Sequence, residues 1–189
     1  MTVQQLRSIY QVKITLMGAR PPIWRRVLVS SAVSLADFHL VVQIAMGWTN
    51  SHLHQFIHNR EIYGIPDDEF DFGLETKDEY KYKLSQLLKQ EKDSMVYEYD
   101  FGDGWEHKIV LEKILPYDKN ARLPVCVKGK RACPPEDCGG VWGYEELLNA
   151  IQDPEHPDHE GMLEWLGGNF DSERLDIKEI NDLLVEYCR

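Results

Sequence analysis

The stretch "SMVYEYDFGDGWEHKIVLEKIL" (residues 94–115) consists of two β-rich runs either side of an Asp-Gly pair. Asp-Gly between alternating apolar residues is the strongest short-range hairpin signal, because a type I′ turn needs left-handed backbone at both central positions. With Asp103-Gly104 as a two-residue turn, the predicted register pairs Phe101 with Glu106, Asp100 with His107, Glu98 with Ile109 and Val96 with Leu111. Asp100 and His107 then face each other across the ladder, where the carboxylate orients the imidazole and favours its charged form. Trp105 lies on the same side as His107. The nine residues "YDFGDGWEH" thus read either as a hairpin tip with a cross-strand ion pair or as a recognition or catalytic site.

The flanking chain extends the β reading. "YQVKITLM" alternates Val12, Ile14 and Leu16 with Gln11, Lys13 and Thr15, the period of a half-buried strand. "RPP" (20–22) turns the chain, and "IWRRVLVS" returns as a second strand, antiparallel to the first. Arg25 and Arg26 point to opposite faces there, so the inward one needs an acidic partner. Ser34 and Asp37 form a short capping box for "LADFHLVVQIAM", whose Leu35, Phe38, Val42, Ala45 and Met46 make one apolar stripe, and Gly47 ends that helix. His39 falls within it as a partly buried or surface histidine. "HLHQFIHN" (52–59) reads as a strand, 61–93 as acidic and irregular with a short amphipathic "LSQLLKQ", and 116–140 as a Pro/Gly/Lys loop. Three helices follow: "GYEELLNAI", "PDHEGMLEWLGG" and "DIKEINDLLVEY", the last with Ile177, Ile180, Leu184 and Tyr187 on one face. Strands followed by helices argue for an α+β fold: a mostly antiparallel sheet with helices packed against it and a helical C-terminal part over 141–189.

Composition sets the outer bounds. The 189 residues fit a single domain, with a core over about 10–187, and 43% hydrophobic residues with 11% aromatics are enough to build it. No apolar run has the length of a signal peptide or a membrane span, so the expectation is a soluble, cytoplasmic protein. The net charge of −11 is uneven: residues 1–60 carry six Lys or Arg against Asp37, and 61–189 carry fifteen against thirty-one acids. A chain this acidic repels a polyanion, which disfavours direct nucleic-acid binding and leaves only "ARPPIWRR" as a local exception. Protein or small-ligand partners are the expectation.

Two further segments carry chemistry. His52, His54 and His58 share parity, and on one strand His52 and His54 stand ~6.6 Å apart, a chelating spacing for a divalent metal with His107 or Asp103 completing the set. The bland reading is a polar surface. "RACPPEDCGGVWGYEE" (131–146) stiffens at Pro134-Pro135 and presents Glu136 and Asp137 before Gly139-Gly140 and a helix start. It reads as a cation or arginine holder (Arg25 being one candidate), or as a helix-entry loop whose acids favour the helix's positive end. Cys133 and Cys138 with His156 and His159 are a further candidate metal set, although "CPPEDC" resists a zinc knuckle. All four cysteines, Cys126, Cys133, Cys138 and Cys188, read as free thiols or metal ligands before they read as disulfides. "DFG" invites comparison with a kinase triplet, but neither a Gly-rich phosphate loop nor a catalytic loop accompanies it.

These motifs resemble the plasmid pRiA4b ORF-3-like family, some members of which travel as passengers of insertion elements. The resemblance rests on "YQVKITLMGARPPIWRRVLV", "HLHQF", "YEYDFGDGWEHKIVLE", "RACPPEDCGGVWGYEELL" and "HPDHEGMLEWLGGNFD", and it spans about residues 10–187. It implies a compact α+β domain without an activity to carry over, with recurring motif positions at Asp100, Asp103, Trp105, His107, Pro134, Pro135, Glu136, Asp137 and Gly139. Three functions compete. The first is a non-enzymatic binding or adaptor domain whose site is Asp100, Asp103, Trp105, His107, Glu136, Asp137 and Trp142, with Trp105 and Trp142 as aromatic anchors. The second is a metal-dependent hydrolase of phosphoester type using His52, His54 and His107. The third is a nucleic-acid accessory using Arg20, Arg25 and Arg26.

Overall fold

A computed structural model describes residues 8–66 and 76–188. Eight strands form one sheet: β1 (Ile9–Leu16), β2 (Trp24–Ser30), β3 (His54–His58), β4 (Glu61–Gly64), β5 (Thr76–Asp78), β6 (Ser94–Tyr99), β7 (Trp105–Leu115) and β8 (Val125–Lys130). Their spatial order is β5-β4-β3-β6-β7-β1-β2-β8, antiparallel throughout except for the β4–β5 pair. The helices are α1 (Leu35–Met46), α2 (Leu84–Leu87), α3 (Gly140–Gln152), α4 (His159–Trp165) and α5 (Ile177–Tyr187). The fold is α+β, and its C-terminal part is helical.

Helix α1 covers the centre of the sheet. Its stripe of Leu35, Phe38, Val42, Ala45 and Met46 is buried against Val12, Ile14, Val27, Phe56 and Tyr97. Ser34 caps it as the sequence indicates: its hydroxyl accepts the Asp37 amide at 3.0 Å and donates to the Asp37 carboxylate at 2.7 Å. Gly47 stops it at φ 107°.

The inward arginine departs from expectation. Arg25 is buried, and its partners are carbonyls rather than an acid. Its guanidinium donates to Ala45 O at 2.7 Å, to Trp24 O and Lys130 O at 2.9 Å each, and to Met46 O at 3.5 Å. Ala45 and Met46 end α1, so the cation sits where the helix dipole is negative and the last carbonyls lack intrahelical donors. Burial lowers the Arg25 pKa all the same. Arg26, on the other face, chelates Glu112 through Nε and Nη2 at 2.5 and 2.8 Å.

Several strands differ from the sequence expectation. The strand expected over 52–59 begins only at His54. The segment read as irregular contains β4 and β5, and the loop read over 116–140 contains β8. In the C-terminal helix, Ile180 and Leu184 are buried as expected, whereas Tyr187 is exposed. The acidic run 67–75 lies outside the described residues. Among the described residues no helix is long and apolar enough to cross a membrane.

Candidate functional site

The hairpin forms, but three residues out of the predicted register. β6 and β7 pair Tyr99 with Trp105, Glu98 with Glu106, Tyr97 with His107 and Val96 with Lys108. The connection is therefore five residues, 100–104, rather than a two-residue turn. Asp100 causes the difference. It takes φ +56°, and its amide leaves the β6–β7 ladder to donate to Leu53 O at 2.8 Å. Its Oδ1 accepts the Gly102 amide at 3.0 Å and the Asp103 amide at 3.4 Å, while its carbonyl accepts Gly104 N at 2.6 Å. An aspartate side chain that binds its own turn overrides the type I′ preference of Asp-Gly. The Asp100–His107 pair is consequently not made.

His107 lies in the core, at 0% exposure. Its Nδ1 donates to Tyr97 O at 3.3 Å and its Nε2 accepts the indole N–H of Trp48 at 3.2 Å. Burial pushes its pKa down to about 4, so the ring is neutral at physiological pH. Trp105 is likewise fully buried beside Trp48, ring centroids 5.2 Å apart, which corrects its reading as an interface anchor. Its indole N–H has no hydrogen-bond partner among the described residues. Of the two proposed anchors, Trp142 alone faces solvent, at 81% exposure.

The expected metal trio is also separated. His54 Nε2 meets the buried carboxylate of Glu79 at 2.9 Å, and its ring stacks on His39 with centroids 3.5 Å apart. His58 bonds the Ser94 carbonyl at 3.2 Å. His159 Nδ1 donates to Ala150 O at 2.8 Å. Among the described residues, neither His52, His54 and His107 nor the Cys133, Cys138, His156 and His159 set gathers its ligand atoms; only His52, Asp100 and Asp137 do, within 4.8 Å of one another.

The hairpin tip and the diproline loop do meet. Asp103 Oδ2 accepts the Gly139 amide at 3.1 Å. Gly140, at φ +70°, packs so closely that a Cβ there would stand 2.4 Å from the Asp103 carbonyl oxygen. A Cβ on Gly143 would lie 1.8 Å from Cys138 O. The "CGGVWG" spacing thus lets the start of α3 rest on the tip and fold back on its own entry loop. A second latch joins this loop to the chain after α1. Glu136 Oε1 accepts Thr49 N at 2.6 Å and the Tyr99 hydroxyl at 3.1 Å, and its Oε2 accepts Thr49 Oγ1 at 2.8 Å. Burial and the Glu136 carboxylate push the Tyr99 pKa up to about 12, which keeps the phenol protonated as a donor.

These latches put His52 among three carboxylates. Its Nε2 is 3.2 Å from Asp137 Oδ1, 3.6 Å from Glu136 Oε2 and 3.7 Å from Asp100 Oδ2. That nitrogen is buried, yet no oxygen lies in line with it for a hydrogen bond. Its ring stands edge-on to Tyr99 at 5.8 Å. Asp103 and Glu136, both foreseen as site residues, hold loops together; Asp100 and Asp137 face the histidine. Trp48, Thr49 and Tyr99 were not foreseen. The polar run "TNS" after the Gly47 stop, a loop signal, is the trace of them that the sequence offered.

The comparisons with known proteins agree with this architecture. The family model for plasmid pRiA4b ORF-3-like proteins matches residues 8–179. An uncharacterised protein of Sinorhizobium fredii is 38% identical over 187 residues, covering 96% of this chain and 95% of that one. A crystal structure of a protein of unknown function from Methanosarcina mazei superposes with a TM-score of 0.80 at 39% identity, over 92% of this chain and 96% of that one. With the motifs, the sheet and the joined loops all accounted for, the chain belongs to the plasmid pRiA4b ORF-3-like family.

Proposed function

We propose that the chain is a non-enzymatic binding domain whose recognition face is the end of the sheet where the hairpin tip meets the diproline loop. The observation that carries this reading is the pair of latches, Asp103 to Gly139 and Glu136 to Thr49, which fixes His52, Asp100 and Asp137 as one polar centre. A preorganised centre lowers the ordering cost of binding. Exposed apolar side chains stand next to it in sequence: Leu53, after His52, is 66% exposed, Phe101, after Asp100, 50%, and Trp142, in the first turn of α3, 81%. Beside Asp137 and Cys138 opens a cleft lined by Leu147, Met162 and Trp165. An acidic centre with exposed apolar neighbours suits a partner that has apolar flanks and meets it through one positive centre.

A hydrolytic role has less support. His107, one of the three expected metal ligands, is sealed in the core, and Asp103 is committed to an amide. The nucleic-acid reading loses Arg25 to the interior and Arg26 to Glu112.

Photocrosslinking tests the binding reading. A photoreactive phenylalanine analogue at Trp142 is expected to give a discrete adduct in cells of the source organism, and Phe101→Ala in the same chain is expected to abolish it. The same analogue at exposed Tyr117, at the far end of β7, is the control. Adducts of equal yield at both positions, or at Tyr117 alone, would refute the proposed face.

A further inference from the structure

Resting on that reading, and naming its positive centre, we propose that His52, Asp100 and Asp137 bind a divalent first-row transition-metal ion. Protein ligands to such an ion sit ~2.0–2.2 Å from it, so neighbouring ligand atoms of a tetrahedral site stand ~3.3–3.6 Å apart. The His52 Nε2 distances to Asp137 Oδ1 and Asp100 Oδ2, 3.2 and 3.7 Å, bracket that edge length. Asp137 Oδ1 is within hydrogen-bonding distance, yet His52 Nε2 makes no hydrogen bond despite being buried, so direction rather than separation excludes one. A nitrogen enclosed by oxygens that are near but off its axis has the arrangement of one ligand among several, with the common partner at their centre.

Charge and the surrounding bonds fit the same ion. One imidazole with two carboxylates balances a 2+ charge, and mixed nitrogen–oxygen sets suit zinc, iron or manganese more than calcium. Asp100 is held in orientation because its other oxygen, Oδ1, accepts two amides of its own turn. Outer hydrogen bonds of this kind are what keep metal-binding carboxylates in place. Glu136 adds negative field at 3.6 Å, while both its oxygens are occupied by Thr49 and Tyr99. Three protein ligands leave a fourth tetrahedral position, and with Asp137 the exposed member of the set a donor atom of the bound partner completes the shell.

The test uses the full-length chain freed of metal by chelation and titrated with zinc chloride, and separately with manganese chloride, by calorimetry and thermal melting. One equivalent of zinc or manganese per chain and a rise in Tm are expected. His52→Ala and Asp137→Asn are each expected to weaken binding at least 10-fold, and His156→Ala, on a separate surface loop, to leave it unchanged. Asp137→Asn alters an exposed side chain, so it serves even if His52→Ala were to fold poorly. A cobalt-loaded sample is expected to show visible absorption that disappears in Asp137→Asn. No heat and no Tm shift with either metal would overturn the site. So would stoichiometric binding that survives both substitutions. Crosslinking at Trp142 that persists unchanged while metal binding is absent overturns the metal site and leaves the binding face standing. Metal binding without crosslinking supports the site and refutes the face.

Discussion

Beneath α1 the histidine rings are engaged on all sides, whereas two residues before β3 the ring of His52 has an unsatisfied nitrogen. His39 is held between the Tyr97 hydroxyl at 2.8 Å and Asn50 Oδ1 at 2.9 Å, and it stacks on His54. His107 bonds Trp48 and Tyr97. His52 stands among carboxylates without a hydrogen bond. The difference shows that histidine density is a poor guide to a site. The core rings form polar links inside a hydrophobic layer, and their satisfaction removes them from chemistry.

That contrast can be broken in order of expected effect. Burial holds both His39 and His107 down to about 4, against 6.5 when unfolded, with the neighbouring His54 adding to the shift of His39. The unfolded chain then binds more protons between these values, so the stabilisation is complete above pH 6.5 and is lost as pH falls toward 4. At one and a third kcal/mol per pH unit, this amounts to about 3 kcal/mol for each ring. Urea denaturation at about pH 7.5 and pH 4.5 is expected to show the pair's combined loss, several kcal/mol. A flat profile would place neither ring as described.

Next comes His107→Ala, which opens a cavity and strands the Trp48 indole N–H. A loss of about 3–4 kcal/mol in denaturant unfolding is expected. Gly140→Ala forces a Cβ against the Asp103 carbonyl in a left-handed backbone, so about 2–3 kcal/mol is expected, with the tip separating from α3. Amide exchange at Gly139 would report the separation. Glu136→Gln replaces charge-assisted bonds to Thr49 with weaker ones, for about 1–2 kcal/mol by thermal melting. His52→Ala comes last: it removes no hydrogen bond, only contacts with three carboxylates and edge-on packing on Tyr99, and is expected to change metal-free stability by no more than about 1 kcal/mol. A larger loss would assign the ring a structural role and erase the contrast.

Much of the fold was legible because periodicity speaks for elements that bury one face. β1, β2, α1 and the paired runs of β6 and β7 each carried such a pattern. β8 did not: "VCVKGK" at the sheet's edge has little apolar alternation, and its neighbours supply the pairing. The hairpin register failed at Asp100, where a side chain bonding its own turn outweighed the dipeptide preference. The two segments that make the site were visible by their concentration of acids, glycines and prolines. Their junction was not, since it depends on Thr49, which the sequence marks only as part of a loop, and on glycines whose role shows only when another backbone approaches. That one arginine of the Arg25–Arg26 pair turns inward was legible, but not which one, and its acidic partner was wrong, because a helix end offering free carbonyls is a property of the assembled fold.

One contact at the far edge of the sheet has a bearing on how molecules of this protein meet each other. Asn181, on α5, receives the Cys126 amide on Oδ1 at 2.7 Å and gives its own amide to Cys126 O at 2.9 Å. Its carboxamide thus takes the place that the peptide group of a ninth strand would occupy. A terminal strand with free amides and carbonyls invites pairing with a neighbour and growth into fibrils. Here α5 occupies the edge at Cys126, which takes that residue's amide and carbonyl out of reach of a pairing strand.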